Sequence, residues 1–261
     1  MANIDFSIDE TDPDVTAACG NFSVLKAHRT LQEYLEACED TPGALLCTVA
    51  RIDLMLSPHN KESREKEAKA EYEHRMFYQK LLDLVCKIPY SHPAQAHLVS
   101  LLGQLSKSRS LNSHKECFVF SYHPDSQTEE AYIRQCAFMA RLSSAGIIQG
   151  FHTSLRNLRT SLEFDWSKDD HHNMRVAGST MWILFAGQFL FQNMVHSRAC
   201  VDEVSLELGE LYTGPVMGLD RWCFWRKAFD SARECTQFSD DTKALVGKTI
   251  DLMDAIERAN T

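Results

Sequence analysis

The chain has 261 residues, 44% of them hydrophobic and 24% charged, with a formal net charge of -9. These proportions belong to a globular protein with a sizeable core and exclude collagen-like, coiled-coil and wholly disordered chains. They also lack the basic excess on which nonspecific nucleic-acid binding depends, because phosphate neutralisation supplies that affinity.

Five acids, Asp5, Asp9, Glu10, Asp12 and Asp14, fall in the first 20 residues, which hold no Lys or Arg. Residues 1–20 therefore read as a disordered acidic arm, followed by a single domain over residues 21–261. The arm has no apolar signal core, so a cytoplasmic chain is expected. Nine cysteines are scattered without a C-x-x-C pair. That pattern fits reduced thiols, many of them buried, better than a zinc framework.

Helical periodicity dominates the body. Leu25, His28, Leu31, Leu35 and Cys38 step by three and four, and Pro42-Gly43 marks a turn. Leu45, Val49, Ile52 and Leu56 form the next stripe. A third helix is expected from about 61 to 88, with a charged first half (61–75) and with Phe77, Leu81, Leu84 and Ile88 on one face. Pro89 ends it, since the residue before proline is pushed out of the helical region. Ser91 before Pro93 reads as a helix start, with Ala94, Leu98, Leu101 and Leu105 behind it. A Ser-rich break at about 106–126 carries the apolar island Phe118-Val119-Phe120.

Thr128 then starts a helix bearing Tyr132, Cys136, Phe138, Met139 and Leu142, which Gly146 ends. Phe151, Leu155, Leu158 and Leu162 mark another. After a polar loop, a long apolar helix runs from about 175 to 197. Its Ser179, Thr180, Gln188, Gln192 and Asn193 suit a buried central helix better than a membrane span. Trp222, Trp225 and Phe229 share one face of a further helix. Ser239-Asp240-Asp241 caps the last, placing a cap oxygen and acids at its positive end. No period-2 strand stands out. The expectation is an all-α bundle of about nine helices around the central apolar one.

Three segments carry a family likeness. They are Ala137-Phe138-Met139-Ala140-Arg141-Leu142 with Gly146; Trp182-Ile183 with Ala186-Gly187; and Leu219-Asp220-Arg221-Trp222-Cys223-Phe224-Trp225-Arg226-Lys227-Ala228-Phe229, joined to Phe238-Ser239-Asp240-Asp241-Thr242 and the Asp251–Glu257 helix. Together, over about residues 60–258, they resemble the fungal family catalogued as domain of unknown function 3632. The resemblance implies an all-helical, intracellular protein, with some members encoded near secondary-metabolism genes. It brings no catalytic motif. Physically, Trp222, Trp225 and Phe229 suit core packing or the wall of a ligand pocket, while Arg221 and Arg226 are expected to pair outward.

The most reactive-looking stretch is Asp165-Trp166-Ser167-Lys168-Asp169-Asp170-His171-His172-Asn173. Carboxylates suit magnesium and imidazoles suit zinc or iron. If the stretch were helical, Asp165, Asp169 and His172 would share a face, so Asp169, Asp170, His171 and His172 are candidates for a divalent metal or acid–base role. A solvated loop at a helix N-terminus explains them as well. Cys136, Cys200 or Cys223 with His152 or His196 could form a thiol–imidazole pair, though these positions also fit core packing. No nucleotide-binding or dinucleotide fingerprint occurs.

Catalysis without such motifs needs a shaped apolar cavity and a few oriented polar groups. Trp182, Gln188, Gln192, Trp222 and Trp225 are the ligand-binding candidates. The first expectation is therefore a cofactor-free protein that binds a small apolar metabolite, as an accessory protein or cyclase-like enzyme. A non-enzymatic protein–protein interaction role, or a metal-dependent enzyme using the Asp169–His172 loop, are the alternatives. Neither nucleic acid nor membrane is expected as a partner.

Overall fold

The computed structural model describes residues 4–8, 10–11, 18–19, 21–37, 42–56, 64–108, 128–196 and 207–260. Among them are nine α-helices, one 3-10 turn and a single antiparallel pairing, Ala18–Cys19 with Phe22–Ser23. The protein is all-α, as the periodicity predicts. Two-residue strands are too short for alternation to register in a sequence. Phe118-Val119-Phe120, Cys200 and the side chain of His196 lie outside the described residues. The chain divides into two compact units, Met1–Tyr122 and His123–Thr261.

The first unit holds α1 (Val24–Glu36), α2 (Pro42–Met55), α3 (Arg64–Lys87) and α4 (Pro93–Leu105). The Ser23 hydroxyl caps α1 by accepting from the Lys26 amide. Phe77, Leu81, Leu84 and Ile88 are all wholly buried, and so are Leu98, Leu101 and Leu105 of α4. The cap of α4 is His92 rather than Ser91: its Nδ1 accepts from the Ala94 amide at 3.1 Å, and Pro93 follows at the first helical position. On α2, Ile52 and Met55 are buried, whereas Leu46 and Leu54 are 61% and 77% exposed.

Residues 4–8 depart from the expectation of a free arm. Phe6 is buried in this unit, its carbonyl lies 2.8 Å from His28 Nε2, and the Ser7 carbonyl accepts from Lys87 at 2.6 Å. A single aromatic among the acids is enough to anchor the segment. Asp9, Asp12 and Asp14 lie outside the described residues.

The second unit holds α5 (Glu129–Ser144), α6 (Phe151–Leu162), α7 (His172–His196), α8 (Leu219–Glu234) and α9 (Asp240–Asn260). The Thr128 hydroxyl caps α5. At its other end Gly146, at φ +68°, takes the left-handed conformation, and the Ile147 amide reaches back to the Leu142 carbonyl at 3.0 Å. This closing pattern satisfies the last carbonyls of the helix. Ser239 caps α9 with its hydroxyl on the Thr242 amide at 3.2 Å.

The apolar helix α7 packs against α5, α6, α8 and α9, the central position expected of it. Residues 176–183 are buried throughout. The Ser179 and Thr180 hydroxyls there donate to the Val176 and Ala177 carbonyls of their own helix, so burial leaves neither unsatisfied. Gly178 lets α5 approach, because a Cβ there would sit 2.3 Å from the Tyr132 ring. Among the described residues no helix is long and apolar enough to cross a membrane.

Candidate functional site

The Asp165–Asn173 stretch is not one helix. A 3-10 turn, Trp166–Lys168, precedes α7, whose first residue is His172. Asp165, Asp169 and His172 therefore do not share a helical face. Asp165 accepts from the Ser167 amide at 3.0 Å, a bond that holds its carboxyl below the ordinary value. Asp169 accepts from the His171 amide at 3.0 Å and pairs with Arg175 at 3.1 Å. The Asp169 carbonyl takes a hydrogen bond from His172 Nδ1 at 2.6 Å.

Asn173 fastens two other helix starts: its carbonyl accepts from the Ser239 amide at 3.0 Å, and its amide donates to Glu129. The Trp166 and His172 rings meet Phe238 edge-on at 5.0 and 5.2 Å. Asp170 is exposed. The loop thus acts as a rivet gathering the starts of α5, α7 and α9. Among the described residues no group of three or more His, Cys, Asp or Glu is placed to hold a metal ion.

The aromatic box of α8 is interior. Trp222, Trp225 and Phe229 are wholly buried, and Trp222 meets Phe191 of α7 edge-on at 5.1 Å. Arg221 does not pair outward as expected. It is wholly buried, and its Nε donates to Glu163 Oε1 at 2.7 Å. Glu163 Oε1 also accepts from Trp225 Nε1 at 2.7 Å, while Oε2 accepts from the Gly209 amide at 2.8 Å. Arg221 also donates to the Val216 and Glu207 carbonyls at 2.9 and 3.2 Å. A buried ion pair is tolerated when its remaining donors and acceptors are met in this way. Arg226 behaves as expected, pairing at the surface with Asp254 at 2.9 Å and with Asp230.

Of the two described thiol candidates, Cys223 is not activated. Burial, and then the Glu257 carboxylate, push the Cys223 thiol above its ordinary value, the reverse of what a nucleophile needs. Cys136 faces the Asn157 amide at 3.9 Å. Of the five described free cysteines only Cys136 is buried, fewer than the scattered pattern suggested.

The remaining candidates lie on α7. Trp182 is buried in its first half. In its second half Phe185, Gln188, Phe189 and Gln192 follow the i, i+3, i+4, i+7 spacing of a single face. The two phenylalanines are half-buried and the two glutamines exposed. The Arg141 guanidinium of α5 lies over the Phe185 ring, 3.8 Å from its centroid. Desolvation lowers the pKa of Arg141, yet a guanidinium stays charged at any physiological pH. Phe189 meets Phe151 of α6 edge-on at 6.5 Å, and His152 beside it has a buried Nδ1 without a hydrogen-bond partner. Gln188 donates to Asn260 at the end of α9 at 3.3 Å.

The structure therefore separates the ligand candidates. Trp222 and Trp225 belong to the interior, against Phe191 and Glu163 respectively, whereas Gln188 and Gln192 edge a half-open aromatic face. Sequence reasoning did not single out Arg141 or Glu163 for a role. Arg141 stood in the quoted family segment, but its stacking partner is 44 positions away in the sequence. No curated protein and no solved structure matches the chain. A family model does match, from Tyr78 in α3 to Phe229 in α8, a span that includes Arg141, Glu163, the α7 face and Arg221 but not α9. The chain belongs to the family described as Protein of unknown function (DUF3632).

Proposed function

We propose that this protein binds a small apolar organic molecule bearing an acidic group, on the second half of α7. In this reading it serves secondary-metabolite biosynthesis in the fungal cytoplasm, as an accessory protein or a cofactor-free, cyclase-like enzyme. The observation that carries the binding half is the change of environment along α7. Residues 176–183 are buried throughout, and the second half of the helix carries Phe185 and Phe189 half-open with a guanidinium on one ring. Rings supply apolar contact area, a guanidinium pairs with carboxylate or sulfonate, and Gln192 offers an exposed amide. The biosynthetic half rests on the family resemblance.

Metabolite profiling of a host lacking the gene, against its parent, tests the role. Loss of one metabolite with accumulation of a precursor is expected. Identical profiles under conditions where the gene is expressed contradict it.

A second reading, a non-enzymatic protein–protein interaction role, is favoured by α2. Leu46, Cys47, Ala50 and Leu54 line up on one exposed side of that helix. A protein that co-purifies with the wild type through a high-salt wash and is lost from Leu54→Glu supports it. Equal recovery with both argues against it.

A further inference from the structure

The N-terminal segment is held to the first unit by three contacts of different chemistry. His28 Nε2 meets the Phe6 carbonyl at 2.8 Å, Lys87 of α3 donates to the Ser7 carbonyl at 2.6 Å, and Arg29 pairs with Glu10 at 2.6 Å. We propose that residues 4–8 form a strap held closed by an uncharged His28 and released when acidification protonates that imidazole.

A carbonyl oxygen only accepts, so Nε2 carries the proton and Nδ1 of the neutral ring carries none. Nδ1 is buried and has no hydrogen-bond partner, and His28 as a whole is 3% exposed. A second proton would therefore place a cation inside the unit with no acceptor for its new N–H, the costly case for buried charge.

Lys80, Asp83 and Lys87 of α3 are the charged groups that reach His28. The two lysines oppose protonation. Asp83 favours it but is already engaged by Lys80 at 3.0 Å and Gln79 at 3.1 Å. On the strap, Asp5 is occupied by the Ser7 amide at 2.8 Å. Arg51 of α2 is taken by Glu33, and His97 of α4 lies against Tyr34, further along α1. Histidine is the side chain whose ordinary change of charge falls between pH 5 and 8.

The sign follows from burial, which lowers the pKa of docked His28 below 6.5 and outweighs the hydrogen bond to the Phe6 carbonyl, which raises it. Above pH 6.5 both docked and released states hold a neutral ring and docking is independent of pH. Below it the released state binds more protons, so docking weakens by about tenfold per pH unit until the docked ring also titrates.

The test uses the full chain labelled with [15N]phenylalanine, following the Phe6 amide signal by NMR from pH 7.5 to 5. The ratio of docked to released signal is expected to hold above pH 6.5 and to fall about tenfold per unit below it. His28→Gln keeps an N–H donor and cannot titrate, so its strap should stay docked at pH 5. A wild-type strap still docked at pH 5, or a His28→Gln strap released like the wild type, overturns the proposal. Should His28→Gln not fold, the wild-type His28 ring decides: its titration must move together with strap release, and separate midpoints overturn the proposal.

Discussion

Glu163 and Arg221 bring together two helix ends that each carry the wrong charge. Glu163 sits just past the C-terminus of α6 and Arg221 in the first turn of α8, both wholly buried, 2.7 Å apart. An acid at a helix C-terminus and a base at an N-terminus each oppose the helix dipole. Their pairing removes both conflicts, and the indole of Trp225 and the amide of Gly209 complete the carboxylate's bonding.

Removing one partner strands the other as a buried charge. Glu163→Ala is therefore expected to cost about 3–5 kcal/mol of unfolding free energy. The double change Glu163→Leu with Arg221→Met should recover a large part of that loss. Urea denaturation of the three proteins measures it; a single variant as stable as wild type contradicts the assigned role.

Gly209 presses its backbone against the same carboxylate, and a Cβ there would sit 2.4 Å from Glu163 Cβ. Gly209→Ala is expected to destabilise by about 1–3 kcal/mol through overpacking, in a Glu163→Ala background as well, because the Cβ and the backbone carbonyl that it meets remain there. Urea denaturation checks this, and a Gly209→Ala chain as stable as its parent contradicts the close approach.

The Asp165–Asn173 loop should separate by residue. Asn173→Ala removes the bonds to Ser239 and Glu129, at a cost of about 1–2 kcal/mol. Asp170→Ala, at an exposed position, should change stability by no more than about 0.5 kcal/mol. Thermal unfolding of both variants checks this, and the opposite ranking would reopen a role for Asp170.

The Arg226 guanidinium, hydrogen-bonded to Asp254, holds that carboxyl below its ordinary value of 3.8. A depressed carboxylate contributes stability that is complete above the unfolded value and fades as pH falls through the folded one. The stability difference between wild type and Asp254→Asn should therefore persist at pH 6 and close below about pH 3.8. A difference that stays constant down to pH 3 contradicts the pairing.

Signals that act locally were legible in the sequence. Thr128 and Ser239 cap helices as their hydroxyl chemistry requires, and Pro89 follows a helix end. The stripes of α3, α4, α5 and α6 are buried as their spacing demands. His92 escaped notice as a cap because an imidazole Nδ1 accepts a hydrogen bond only in the tautomer protonated at Nε2. Phe6 was outweighed by the acids around it, since composition averages over the residue that anchors a segment.

The candidate site was half legible. The spacing of Phe185, Gln188, Phe189 and Gln192 puts them on one face, but periodicity cannot say which face of an apolar helix stays open. Arg141 and Phe185 come together only through the packing of α5 on α7. The dipole conflict at Glu163 was a usable sign of a buried partner, yet nothing local names Arg221, 58 positions on.

Calorimetric titration with 1-anilinonaphthalene-8-sulfonate, an apolar aromatic anion, addresses the α7 face most directly. One saturable site per chain is expected, weakened about tenfold or more by Arg141→Gln and by Phe185→Ala, with α-helical content unchanged. Absence of saturable binding to the folded wild type, or binding indifferent to both substitutions, would contradict the ligand-binding role assigned to this face.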